Sequence, residues 1–318
     1  MILVTGGCGF IGSHVVKALV EDSNEVVAFD IVMPSPLPQP LRDVADKVKF
    51  VTGDVTNLEE LQKVFVTHDI DHVVHLSWLM GKREQDPTWP FRSLKVNVEG
   101  TCNVLEASRL THVKRVVFPS SEDVYGSAAL YALPVKEDTP LSPAAREGSI
   151  LYASTKAMAE YLFRYYHSRY QLDYIMFRFG TIYGFGSVGW LANFFLKPLQ
   201  GEPYQTQMGW GWDENRYNLL CVKDVAKAIK LALKIKDPKF RIFNVSGGIF
   251  SIRNLVEITK KLVPGAVIYT KAGTDLTLTP ALMDISLAKK ELRYEPSYPL
   301  EKGARDFVDQ IKLYTNVK

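Results

Sequence analysis

The chain has 318 residues, 47% of them hydrophobic and 23% charged, with a formal net charge of +3. That length buries a sizeable core and has room for two subdomains. The charge balance, with no run of Lys or Arg, gives no footprint for nucleic acid, and no apolar run reaches the roughly 18 residues of a membrane span.

Met1 to Thr5 reads as a short apolar strand that runs into Gly6-Gly7-Cys8-Gly9-Phe10-Ile11-Gly12. Since residues 1–12 are already strand and loop, no secretory leader is expected. Ser13 to Glu21 then reads as a helix, with Val15, Val16, Leu19 and Val20 on its buried stripe. Gly6 suits a tight turn. Gly9 lets main-chain N–H groups approach a diphosphate at the helix N-terminus. Gly12 allows close packing of helix on strand. Glu25 to Phe29 is a second strand that ends at Asp30, placed to accept hydrogen bonds from an adenosine ribose. No Lys or Arg follows Asp30 until Arg42, so a 2′-phosphate meets repulsion and no partner. The expected cofactor is therefore NAD rather than NADP.

Met33 to Pro40 carries four prolines in eight residues and reads as a surface loop. Further strands are expected over Val48–Thr52, His72–Leu76, Arg115–Pro119 and Asp173–Phe179, with helices near 57–67, 93–110 and 152–170. Such alternation predicts an α/β fold, a Rossmann-type doubly wound parallel sheet with helices on both faces. Ligands then sit outside the C-terminal strand ends. From about 180 to 212 the composition turns to Gly, Trp and Phe. There the chain is expected to leave the sheet and cap the nicotinamide end. Asp224 to Lys236 reads as a helix with Asp224 as N-cap, and Arg241–Val245 as a return strand. Helices near 251–263, 286–292 and 300–313 complete a smaller, discontinuous C-terminal domain. The division expected is 1–179 with a return segment over about 213–245, against 180–212 and 246–318. Cys8, Cys102 and Cys221 lie far apart with no CxxC pair, which reads as reduced thiols in a cytoplasmic protein. His14, His68, His72, His112 and His167 show no ligand spacing, so no metal is expected.

Tyr152 and Lys156, in Leu151-Tyr152-Ala153-Ser154-Thr155-Lys156, share one helix face. A free phenol ionises near pH ~10, and a nearby ammonium is expected to pull that value down. The pair is a candidate acid/base device.

With these landmarks the chain resembles an extended short-chain dehydrogenase/reductase of the NAD-dependent epimerase/dehydratase family. The matching segments are Thr5–Gly12, Gly53-Asp54-Val55, His75-Leu76, Val96-Asn97-Val98-Glu99-Gly100-Thr101, Ser120-Ser121, Val124-Tyr125-Gly126 and Tyr152/Lys156. Later ones are Arg178–Gly184, Val222–Ala226, Phe243–Ser246 and Asp284-Ile285-Ser286. The resemblance implies that Tyr152 exchanges a proton with a substrate hydroxyl, Lys156 bonds the nicotinamide ribose, and Ser121 orients the reacting oxygen. It also implies cofactor contacts from Asp54, Val55, Leu76, Ser77 and Asn97 beside Gly6, Gly9, Phe10, Ile11, Gly12 and Asp30. Glu122-Asp123 resembles the acid pair of the 4,6-dehydratases with the two acids exchanged, which makes both candidates for water elimination.

The substrate end departs from the pattern. Arg216 matches one of two arginines that clamp a diphosphate, but Thr279 to Met283 holds no second one. Trp78, Trp210 and Trp212 are expected either to stack on a sugar face or to fill the cap. Arg178 is a candidate for a carboxylate or phosphate, or for a structural pair, and Asn193 for a substrate amide contact. The leading expectation is an epimerase of a sugar nucleotide or related sugar. A 4,6-dehydratase, a dehydrogenase of a free sugar or sugar acid, and a non-catalytic NAD-binding protein are the alternatives. The two long helices near 93–110 and 152–170, with Leu105, Tyr161 and Tyr165 as outward candidates, are expected to form a homodimer.

Overall fold

β1 (Ile2–Thr5) alternates its side chains between two cores, Ile2 and Val4 to one side and Leu3 to the other. All four residues are buried, which is what a strand covered on both faces requires. α1 (Phe10–Glu21), β2 (Val26–Asp30), the short α2 (Gln39–Arg42), β3 (Val48–Thr52), α3 (Leu58–Thr67) and β4 (His72–His75) follow. Next come α4 (Trp89–Leu94), α5 (Gly100–Leu110), β5 (Arg115–Ser121), α6 (Ile150–Tyr170) and β6 (Tyr174–Phe179). The computed structural model describes residues 1–80, 86–143, 149–206, 211–277 and 279–315. Trp210, a candidate from the sequence, lies outside the described residues.

Later elements are β7 (Thr181–Tyr183), α7 (Trp190–Leu199), β8 (Tyr204–Gln205), β9 (Arg216–Cys221), α8 (Val222–Lys234) and β10 (Ile242–Val245). β11 (Ile249–Ser251), α9 (Ile252–Leu262), β12 (Ile268–Tyr269), α10 (Ser286–Leu292) and α11 (Leu300–Tyr314) end the chain. The main sheet has seven strands in the order β10-β6-β5-β4-β1-β2-β3, all parallel. α1 and α8 cover one face; α3, α5 and α6 cover the other. Strand order switches sides at β1, with β2 and β3 on one side and β4 on the other, so the ligand crevice opens there.

A third core joins α7, α9 and α11 around Phe194, Phe195, Tyr217, Ile252, Leu255 and Phe307. The strands β7, β9 and β11 form a separate sheet against it. Among the described residues no helix is long and apolar enough to cross a membrane. Nor is any group of three or more His, Cys, Asp or Glu residues placed to hold a metal ion.

Four details differ from expectation. The helix expected over 93–110 is α4, a π-turn over Lys95–Glu99, and α5. Pro40 lies in the first turn of α2, where a missing N–H costs nothing. The helix expected to start at Asp224 starts at Val222 with Cys221 as N-cap. Asp224 instead accepts from Ser297 N and Tyr298 N, each at 2.9 Å, and straps the C-terminal segment to α8. Leu105, expected to face outward, is fully buried under the sheet.

Candidate active site

The glycine loop is a tight device. Gly6 has φ +66, which a side chain disfavours. A Cβ on Gly12 would lie 2.0 Å from the Gly6 carbonyl oxygen, so the first turn of α1 presses on the loop itself. Gly9 is the exposed N-cap of α1, with no side-chain cap and no acidic residue in the first turn. The N–H groups of Phe10, Ile11 and Gly12 therefore face a site that suits an anion. Asp30 sits beside the loop and accepts from Cys8 N at 3.0 Å through Oδ2.

The opposite wall of the crevice is set by a buried relay. The Thr101 hydroxyl donates to Asn97 O at 2.6 Å, so it accepts from His75 Nε2–H at 3.1 Å. His75 Nδ1 then accepts from the Thr5 hydroxyl at 2.8 Å. The Thr5 oxygen is left to accept both Leu76 N and Ser77 N at 3.2 Å. Burial, reinforced by the Lys156 charge, holds the His75 pKa down at about 3, so the imidazole stays neutral and the relay keeps one direction.

Asn97 is hydrogen-bonded within the protein. Its Oδ1 accepts from Leu79 N at 2.8 Å, and its Nδ2 donates to Leu79 O, Ser93 Oγ and Thr155 Oγ1. The side chain is fully buried, and its bonds hold the loop after β4. Val55 is likewise in the core, with its carbonyl taken by Asn103, which leaves only its main-chain N–H for a ligand. Asp54 is partly exposed and caps Thr56 N at 2.8 Å.

Ser121 ends β5. Its Oγ accepts from Asp123 N at 3.2 Å and also bonds the Tyr152 phenol. The turn-capping and orienting roles are thus held by one atom. The phenol is pushed up by burial first, then by the charges of Asp123 and Glu122, while the Ser121 bond opposes. The expectation of a depressed phenol is reversed, first by burial and then by the charges of Asp123 and Glu122. Burial drives the Lys156 ammonium well below the ordinary lysine range, against the pull of Glu160. Lys156 Nζ lies 5.9 Å from the Tyr152 ring centroid and donates to Pro119 O at 2.6 Å.

The two acids after Ser121 part company. Glu122 is buried; Thr181 Oγ1 donates to its Oε1 at 2.9 Å, and Asn218 Nδ2 donates to its Oε2. Asn218 also binds Ala281 O and Met283 N. Glu122 therefore ties the turn after β5 to β7 and β9. Asp123 stays partly exposed.

Arg178 is not offered to a substrate. It forks onto Glu160 at 3.0 and 2.7 Å and donates to Tyr125 OH at 2.7 Å and Glu137 O at 2.9 Å, 1% exposed. Trp78 carries the Lys156 ammonium 3.6 Å from its ring centroid and packs on Phe118, so its first partner is a lysine and not a sugar. Trp212 similarly stacks under Lys271, 3.7 Å from its centroid. Arg216 is exposed at the start of β9, and Asn193 is partly exposed on α7. Sequence reasoning missed Glu160 and Asn218. Glu160 carried a signal: it is an acid four residues after Lys156, on the apolar face with Ala153, Ala157 and Phe163.

The chain matches the model of the NAD dependent epimerase/dehydratase family over residues 2–246. It belongs to that family. A UDP-glucuronate 4-epimerase of Thermodesulfobacterium geofontis is 30% identical over 99% of this chain and 98% of that protein. A crystal structure of UDP-glucose 4-epimerase from Thermotoga maritima with UDP-glucose aligns with TM-score 0.83 and 26% identity, covering 98% of each chain. A dTDP-glucose 4,6-dehydratase of Bacillus anthracis in complex with NAD aligns with TM-score 0.81 and 26% identity, covering 98% and 96%. NAD is the family's cofactor, and the residues here fit it. The exposed Gly9 and the uncapped α1 N-terminus suit the diphosphate, and Asp30 at the end of β2 suits the adenosine ribose.

Proposed function

We propose that this protein is a 4-epimerase of a UDP-linked sugar, with UDP-glucuronate and UDP-glucose as the first substrates to try. Support comes from the full-length similarity to a UDP-glucuronate 4-epimerase and from one observation in the site: Glu122 is buried and hydrogen-bonded to Thr181 and Asn218. An eliminating enzyme needs a second acid/base pair open to the sugar. Here Glu122, one of the two candidate acids, is committed to hydrogen bonds with Thr181 on β7 and Asn218 on β9.

NAD+ supplies a reversible hydride acceptor and a cationic ring when bound. Gly9 to Gly12 and Asp30 hold it, and Lys156 serves its ribose. Tyr152 takes the proton of the sugar hydroxyl and returns it, with Ser121 donating to the phenol oxygen as negative charge appears there. Asn193 on α7 and Arg216 at the start of β9 frame the substrate end.

Incubation with NAD+ and each UDP-sugar should yield the 4-epimer with no net NADH. Glu122→Gln should keep turnover within roughly tenfold and lower stability instead. A 4-keto-6-deoxy product, or bound NADH accumulating in Glu122→Gln, would favour the dehydratase reading.

We also propose a homodimer through α6. Met158, Tyr161 and Tyr165 lie along one face, 47%, 60% and 54% exposed, and Leu110 of α5 adds 45%. Light scattering should give twice the chain mass, and Tyr161→Arg with Tyr165→Arg should give the monomer. A monomeric wild type at micromolar concentration counts against it.

A further inference from the structure

The Lys156 ammonium sits in an aromatic corner. Trp78 and Phe118 tilt against each other at 53° with centroids 5.6 Å apart. Nζ lies 3.6 Å from the Trp78 centroid and 4.7 Å from that of Phe118. Pro119 O, at 2.6 Å, is its hydrogen-bond acceptor. The nearby acid, Glu160, has both oxygens taken, Oε1 by Ser120 and Arg178 and Oε2 by Arg178. His75 across the corner is neutral, and Asp123 and Glu122 act on the phenol. One carbonyl and two ring faces therefore replace the water this ammonium has lost.

Trp78 is held for the task. Leu76 and Ser77 before it are pinned to Thr5, and Leu79 after it is clamped on both N–H and C=O by Asn97. Its Nε1 is buried without a hydrogen-bond partner. Phenylalanine would fill much of this corner with no unpaired N–H. The indole's distinct asset is the strongest π face for a cation.

We propose that Trp78 is a positioning residue for the reaction, its indole face holding the Lys156 ammonium charged and in place beside Tyr152. A carboxylate there would draw the ammonium onto itself. A ring face attracts it without fixing the direction of any N–H, and of the three donors only one goes to Pro119. The others stay free for a ribose. The proposal rests on the reading of Tyr152 and Lys156 as the proton-transfer pair.

The test compares Trp78→Phe and Trp78→Leu with the full-length wild type for NAD binding, turnover with the best UDP-sugar, and the pH profile of kcat/KM. Trp78→Leu should weaken NAD about tenfold or more and move the alkaline limb to lower pH, because an ammonium without its ring loses its proton sooner. Trp78→Phe should fall between. In the wild-type background, Lys156→Met should change the indole emission, and the change should vanish when Trp78→Phe is also present. Unchanged NAD affinity and alkaline limb in a folded Trp78→Leu would overturn the proposal. So would a lower rate with an unmoved limb, which marks packing alone. If Trp78→Leu does not fold, the Trp78→Phe profile and the emission change decide. If Tyr152→Phe keeps its rate, the underlying reading fails whatever Trp78 does.

Discussion

Replacing Tyr152 by phenylalanine should remove most turnover, by about 10²–10⁴-fold, while folding and NAD binding persist. Phenylalanine keeps the ring, whose packing on α6 is unchanged, and removes only the oxygen bonded to Ser121. The pH dependence follows from the phenol's neighbours. Burial and the charges of Asp123 and Glu122 raise its pKa, so the free protein carries it protonated at neutral pH. Asp123→Asn removes one of those charges and stabilises the phenolate. The limb of kcat/KM that reports the phenol should then move to lower pH. Steady-state kinetics across pH on both variants would check this. A Tyr152→Phe enzyme with near-normal rate on its true substrate would end the assignment of this proton transfer to Tyr152.

The parallel sheet was legible because its signal is periodic. Runs such as Val26–Phe29 and Tyr174–Phe177 are apolar on both faces, and only a strand covered on both sides needs that. The glycine loop was legible because its spacing is set by covalent reach. What was not legible is which motif side chains touch a ligand and which hold the loop that does. Asn97, Val55, Arg178 and Glu122 all stand at motif positions, yet their side chains are buried, and those of Asn97, Arg178 and Glu122 are hydrogen-bonded within the protein. Sequence spacing carries no information on a hydrogen bond to a residue dozens of positions away. The π-turn over Lys95–Glu99 is a similar case, since residues of ordinary helix propensity enter it. Leu105 failed for a simpler reason: on a helix, one step of 100° separates an outward side chain from a buried one.

Breaking the Arg178–Glu160 pair should destabilise the protein by about 3–5 kcal/mol, because it strands a charge in the core. The two side chains are 1% and 0% exposed. Burial alone would lower the Arg178 pKa, but the Glu160 carboxylate and Tyr125 more than reverse it, so the guanidinium stays charged. Arg178→Met leaves Glu160 with only Ser120 at Oε1, and also releases Tyr125 OH and Glu137 O from their donor. Glu160→Gln is the milder cut, since its amide oxygen still accepts from Ser120. Replacing both by methionine should recover part of the loss, because the desolvation cost of both charges goes with them. Urea unfolding of Arg178→Met, Glu160→Met and the double variant measures this directly, and that cycle isolates the pair's coupling. Substrate KM should be unchanged in whichever variant folds. If Arg178→Met instead raises KM and leaves stability untouched, the guanidinium reaches a ligand after all, and the core assigned to it here is wrong.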